Sequence, residues 1–441
     1  MKRKIIKSIT LLTILATISC CGCNRNNEIV DNEEKLPTTD NIHTDENQAD
    51  NIQTNAILTD SYLFMEDGIG IAEERFMFSD WENPEFSYTC TDFTCSHTKE
   101  GCTSLREQHT DDKRDINHIS SKFVYYNDKM IIFDVYEITQ FQETVEGENT
   151  IVKKIINNRI TDVYEADMEG GNRKLVHTFE GGPESVGTCL LINNEVVFGG
   201  AKSITKISKY EEDEVHSSQE CDEAIFALNL DNYSVKEYEI DDSVSYGIYH
   251  MRAYDNYVYA VLRTDVILGD GGVVVDNADE KWYRVDLEND TCELINEIED
   301  KDVAFFGAID NKMYYSYYDD IIYCKEVGDD TQEEEFIKIN HDVPAGFIYD
   351  DMIAIMTEAE NDGSNYKIKY VWYDSDGKEL FSHEYNEWLI FSEVIGDRII
   401  YMRPFEEGIP QLWIDKDDVE KLETDGTLIG NKSVKGIDNI E

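Results

Sequence analysis

The sequence predicts an all-β chain and, within that class, a seven-bladed β-propeller over residues 58–425, with six or eight blades as the neighbouring counts. Three observations carry this. From about residue 58 apolar residues alternate with period two, the signature of a strand with one face buried. One unit recurs, an apolar strand, a turn on Asp or Asn and a second apolar strand, with turns at Asp67, Asp128, Asn194, Asn256, Asn311, Asp350 and Asp397. A second hairpin follows most of these, as in Val163–Met168 before Gly170 and Gly171, Ile225–Leu230, Trp282–Leu287, Val371–Asp374 and Leu412–Asp415. Two hairpins make a four-stranded antiparallel sheet, and repeats of about 40–60 residues with four strands describe a propeller blade. A pair of β-sandwiches is the rival, since short strands at this spacing also build sandwiches. The fixed order of hairpins favours the propeller, and helix is expected to be nearly absent beyond the first residues.

Those first residues read as a targeting signal. Lys2, Arg3, Lys4 and Lys7 form a basic stretch, and Ile9 to Ile18 a short apolar one. Ala16-Thr17-Ile18-Ser19-Cys20 then places small residues before a cysteine, as in a bacterial lipobox. Residues 1–19 are therefore expected to be a lipoprotein signal peptide, with Cys20 the lipidated first residue of the mature chain. A plain secretory signal is the simpler alternative. No later apolar run approaches the ~18 residues that a further membrane helix needs.

Residues 20–57 follow as an acidic, disordered tether, rich in Asn, Asp, Glu and Thr and without an aromatic residue. Such a segment buries too little apolar surface to offset its ordering entropy. Residues 426–441 form a C-terminal tail.

Within the propeller the turns between first and second strands are tight, whereas connections between second and third strands are long in blades two, three and four. They cover about residues 134–161, 199–222 and 262–281. The link from blade one to blade two, about residues 91–119, is also long. All four are expected on one face of the propeller, where loops on a rigid scaffold commonly bind ligands. Phe141 and Trp282 are their candidate sugar-stacking aromatics.

That link holds the sharpest local motif, Cys90-x4-Cys95-x-His97-x4-Cys102. Three thiols and an imidazole make a Cys3His set for zinc. A disulfide within Cys90, Cys95 and Cys102 is the competing reading, because exported proteins favour disulfides. The run Tyr88-Thr89-Cys90-Thr91-Asp92-Phe93-Thr94-Cys95-Ser96-His97, closed by Cys102, resembles a motif of lipid-anchored surface β-propeller lipoproteins from Gram-positive anaerobes. The resemblance implies a lipid-anchored propeller of unknown function and carries no activity with it. Cys189, Cys221, Cys292 and Cys324 read as small buried thiols in or near strands.

Aspartate and glutamate number 93 against 39 lysine and arginine, for a net charge of -54. That field repels phosphate backbones and excludes nucleic acid as a partner. It also favours weak binding of calcium. Asp374-Ser375-Asp376-Gly377 matches only the start of a calcium loop, and a hairpin turn is the plainer reading. His383-Glu384-Tyr385-Asn386-Glu387 lacks the second histidine of a zinc-protease helix. No nucleophile elbow or phosphate-binding loop occurs, and the nine histidines are scattered. The leading expectation is a monomeric cell-surface lipoprotein on the outer face of the membrane, binding a neutral or cationic glycan, peptide or protein. A propeller hydrolase or lyase and an envelope assembly scaffold are the alternatives.

Overall fold

In the computed structural model the strands and most turns between residues 54 and 429 are described. Residues 1–53 and 430–441 lie outside the described residues, as do several connections, the longest being 105–115, 265–278 and 416–426. Cys20 and His97 fall among them. The chain is all-β, with no helix among the described residues.

The strands run in successive antiparallel meanders. An extra strand β1 (Thr54–Leu58) precedes the first, which comprises β2 (Leu63–Met65), β3 (Gly68–Ala72), β4 (Phe76–Asp80) and β5 (Ser87–Tyr88). The second holds β6 (Ile116–Tyr126), β7 (Lys129–Glu146), β8 (Thr150–Ala166) and β9 (Lys174–Glu180). A short β10 (Gly182–Pro183) leads to the third: β11 (Cys189–Ile192), β12 (Glu195–Glu211), β13 (Glu214–Asn229) and β14 (Val235–Glu239). The fourth and fifth are β15 (Ser245–Tyr254), β16 (Tyr257–Thr264), β17 (Asp279–Asp286), β18 (Thr291–Ile298), then β19 (Ala304–Ile309), β20 (Lys312–Ser316), β21 (Ile321–Glu326), β22 (Glu334–Lys338). The sixth and seventh are β23 (Gly346–Tyr349), β24 (Met352–Asn361), β25 (Tyr366–Tyr373), β26 (Glu379–Tyr385), then β27 (Ile390–Ile395), β28 (Arg398–Met402), β29 (Gln411–Asp415), β30 (Thr427–Ile429).

The turns explain the hairpins. Asn127, Asp128, Asn193 and Asn311 all have positive φ, a conformation that Asn and Asp tolerate through local hydrogen bonds. Between strands, cores form from facing sheets. Phe123, Phe198 and Phe226 are buried with Leu63 and Met65 in one cluster. Trp282, Phe305, Met313 and Tyr315 fill the space between the fourth and fifth meanders.

Two boundaries differ from expectation. The tether was expected to run to residue 57, yet Thr54–Leu58 is a strand and Ala56 is fully buried. It pairs with β2 on one side and β11 on the other, and burial of Ala56 helps to draw the strand inward. At the other end, β30 carries the last meander past residue 425, pairing with β29.

Candidate functional site

The connections expected as loops in the second and third meanders are instead ladders. β7 pairs with β8 from Met130↔Ala166 out to Glu146↔Thr150, and β12 with β13 from Glu195↔Asn229 out to Glu211↔Glu214. The distal halves of these hairpins then join: β8 pairs with β12 from Ser203↔Asn158 to Glu211↔Thr150. The outcome is a four-stranded arm in the order β7, β8, β12, β13. Joining satisfies the inner edges, which would otherwise expose rows of backbone N–H and C=O groups.

The arm carries an apolar row. Val145 lies opposite Ile151, and Ile151 opposite Tyr210, so all three share one face. Phe141, four residues back along β7, shares it by the period of two. All four side chains are exposed, Phe141 at 67% and Val145 at 69%. Lys153 sits among them, its ammonium 5.4 Å from the Tyr210 ring centroid and 3.6 Å from Glu143. On its outer side β7 pairs with β6 only as far as Ile138. Among the described residues the edge from Thr139 to Glu146 has no strand beside it.

The root of the arm is held firmly. Arg159 donates to Glu137 at 2.9 Å and to the Pro183 carbonyl at 3.2 Å. Thr161 donates to the Gly181 carbonyl at 2.7 Å, and β10 is clipped to β12 through Gly182↔Ala201 and Pro183↔Gly200. On the other face, Asp134 accepts hydrogen bonds from Ser121 at 2.7 Å and from His118 at 2.5 Å. This brings a serine, a histidine and an aspartate together, which scattered positions in the sequence did not reveal. Both side chains converge on one carboxylate oxygen, and the Ser121 hydroxyl also lies 3.3 Å from His118 Nε2. Asp134 thereby ties β6 to β7 at the root of the arm.

Trp282 is not at the surface. It is 1% exposed and packs on Phe305 and Tyr315, with ring centroids at 4.9 and 5.0 Å. Strand β17 is buried on both faces here, with Glu280, Lys281, Trp282 and Tyr283 all buried, and Trp282 fills the core between the fourth and fifth meanders. Of the two expected aromatics only Phe141 is presented to solvent. The third expected loop, 262–281, lies mostly outside the described residues, its two ends forming β16 and β17.

Of the cysteine motif, Cys90, Cys95 and Cys102 are brought together: their sulfurs lie within 4.8 Å of one another. Cys90 and Cys102 are buried and Cys95 is half-buried. Cys90 follows β5, as expected for the end of the first meander. Cys189 and Cys324 are buried thiols as expected, while Cys221 and Cys292 are half-buried. Burial, with Glu293 nearby, pushes the Cys292 thiol up to about 11, which makes it a poor nucleophile.

The acidic motif resolves as a turn. Asp374 accepts from the Asp376 and Lys378 amides at 3.1 and 2.9 Å, and Gly377 takes positive φ. His383 and Glu384 lie on strand β26, not on a helix. Glu333 accepts from the hydroxyls of Tyr315 and Tyr317 at 2.7 and 2.5 Å beside a cavity of about 350 Å³. Burial above all, and then Glu333, raises both phenols, so they are neutral donors.

No protein-family model and no curated protein matches the chain. Among solved structures, an ulvan lyase is similar at 9% identity and a TM-score of 0.40, over 83% of this chain and 95% of the other. The computationally designed protein Ika8 is similar at 11% and 0.36, over 82% and 97%. BamB from Moraxella catarrhalis is similar at 12% and 0.33, over 68% and 98%.

Proposed function

We propose that this chain is a lipid-anchored cell-surface protein, a closed seven-bladed β-propeller that serves as a binding module. Its ligand is a neutral or cationic polypeptide, taken up on the arm formed by β7, β8, β12 and β13.

The observation that carries this reading is the exposed row of Phe141, Val145, Ile151 and Tyr210 beside the edge of β7 that has no strand partner among the described residues. A protein with a net charge of -54 has ample polar surface, so apolar side chains gathered at one place mark a contact surface. An extended peptide added to β7 would gain main-chain hydrogen bonds from the edge and side-chain contacts from Phe141 and Val145, which alternate with polar residues along it. The acidic field favours a cationic or neutral partner over an acidic one. A closed ring is supported by strands that pack in succession, β11 on β15, β15 on β19, β19 on β23, β23 on β27 and β27 on β1, with β1 paired to β11, while β6 of the second meander lies on β1, β2 and β3.

The test uses the full chain in detergent and a fluorescent peptide of alternating Val and Lys. Saturable binding is expected, weakened about tenfold or more when Phe141→Ser, Val145→Thr and Tyr210→Ser are combined, a loss of at least 1.4 kcal/mol. Circular dichroism should stay unchanged, since all three side chains are exposed. Equal binding by the variant, or none by the natural chain, overturns the reading.

A further inference from the structure

We infer that Cys90, Cys95 and Cys102 are three ligands of a zinc-class divalent cation that fastens the link after the first meander. This stands independently of the binding surface on the arm.

The three cysteines are spread over thirteen residues in the sequence, and their meeting is a property of the fold. Phe76 on β4 brackets the motif at both ends. Its carbonyl accepts from the Thr89 amide at 3.1 Å, and its amide donates to the Ser104 carbonyl at 2.8 Å. Cys90 and Cys102 are thus delivered side by side by a single residue of a neighbouring strand. The second meander adds a brace. Arg173 donates to the Thr103 carbonyl at 2.7 Å and to the Gly170 carbonyl at 2.8 Å, with its guanidinium 5.1 Å from the Phe76 ring. Ser104, fully buried, places its hydroxyl 3.0 Å from the Cys102 sulfur. The ligands are therefore oriented by neighbours on two meanders, as metal ligands are by their outer partners.

The number of sulfurs chooses between the two readings of the motif. A disulfide joins two and leaves the third within 4.8 Å, where its thiolate can attack the bond and exchange with it. Three convergent thiols make a poor covalent staple. They make a good set for zinc, whose Zn–S bonds of about 2.3 Å put tetrahedral sulfurs about 3.8 Å apart. Soft thiolates select against calcium and magnesium, which prefer oxygen. Half-buried Cys95 gives the cation its way in, and binding releases the thiol protons to solvent.

The experiment is metal analysis of the full chain, purified in detergent without oxygen and dialysed against zinc. About one zinc per chain is expected, with at least a tenfold loss in Cys95→Ser and none in Cys324→Ser. Cobalt(II) added to the natural chain should give a thiolate-to-cobalt charge-transfer band, a readout that needs no variant to fold. Zinc below a tenth of the chain concentration, cobalt without that band, or full zinc retention in Cys95→Ser overturns the assignment. So does a disulfide within the three that persists in protein exported by living cells.

Discussion

Arg159 and Glu137 face each other across β8 and β7 at 2.9 Å, both nearly sealed from solvent, where the arm leaves the second meander. Two charges withdrawn from water at this point are tolerable only as a pair. Glu137→Ala leaves the guanidinium buried without its counter-ion and should cost about 3–5 kcal/mol in urea unfolding. Replacing both, Glu137→Leu with Arg159→Met, should cost much less. Equal losses in the single and double variants would show that the pair is not what holds the root.

Gly200 is the narrowest point of the clip between β10 and β12. A Cβ there would lie 2.0 Å from the Gly182 carbonyl oxygen, and backbone cannot step aside as a side chain can. Gly200→Ala should destabilise by at least about 1–3 kcal/mol. Proteolysis should then open the segment around residue 183 before the rest of the chain. A thermal midpoint equal to that of the natural chain would refute this.

His250 sets part of the acid limb of stability. Burial first, and the Arg252 guanidinium second, hold its imidazole well below the usual range. Above about pH 6.5 both folded and unfolded chains carry it neutral, and it contributes nothing. Below that pH the unfolded chain takes up a proton that the folded chain refuses, so stability falls with decreasing pH, by up to about 1.4 kcal/mol per unit. His250→Phe, which keeps a ring against Phe305, should flatten the decline between pH 6.5 and 5. The check is the difference in unfolding free energy between variant and natural chain at each pH, which cancels the effect of the many carboxylates.

The proposed anchor rests on Cys20. Cys20→Ala should shift the protein from the detergent phase to the aqueous phase in a phase-separation assay, or leave an uncleaved precursor on a denaturing gel. Unchanged partitioning and unchanged mass would move the lipid to another residue or remove it altogether.

The hairpins were legible because what makes them is local. Asp128 and Asn311 stand at turns with positive φ, and the flanking strands alternate apolar and polar residues. The arm was not legible for the same reason. Gln140-Phe141-Gln142-Glu143-Thr144-Val145 reads as a polar loop because, as a strand, it is exposed. The pairing of β8 with β12 joins residues about fifty apart, and nothing in either hairpin names its partner. Trp282 was misplaced because the charged Asp279-Glu280-Lys281 before it reads as a surface connection, whereas Glu280 and Lys281 are buried with it on both faces of β17. The cysteine motif named three residues whose sulfurs the fold brings within 4.8 Å of one another, but its spacing matches no standard zinc signature. Only the bracketing by Phe76 brings the sulfurs together.

Strand β1 has a mechanical consequence. It is the first described strand, and any pull delivered through the residues before it reaches the fold there. It is gripped on both edges, by three ladder pairs to β2 and four to β11. Those hydrogen bonds lie across the strand, so tension along the strand loads them together in shear instead of peeling them one by one. Resistance of this kind is a matter of unfolding rate rather than of equilibrium stability. With the proposed anchor at Cys20, tension would enter the described fold at this strand, where the ladders resist it.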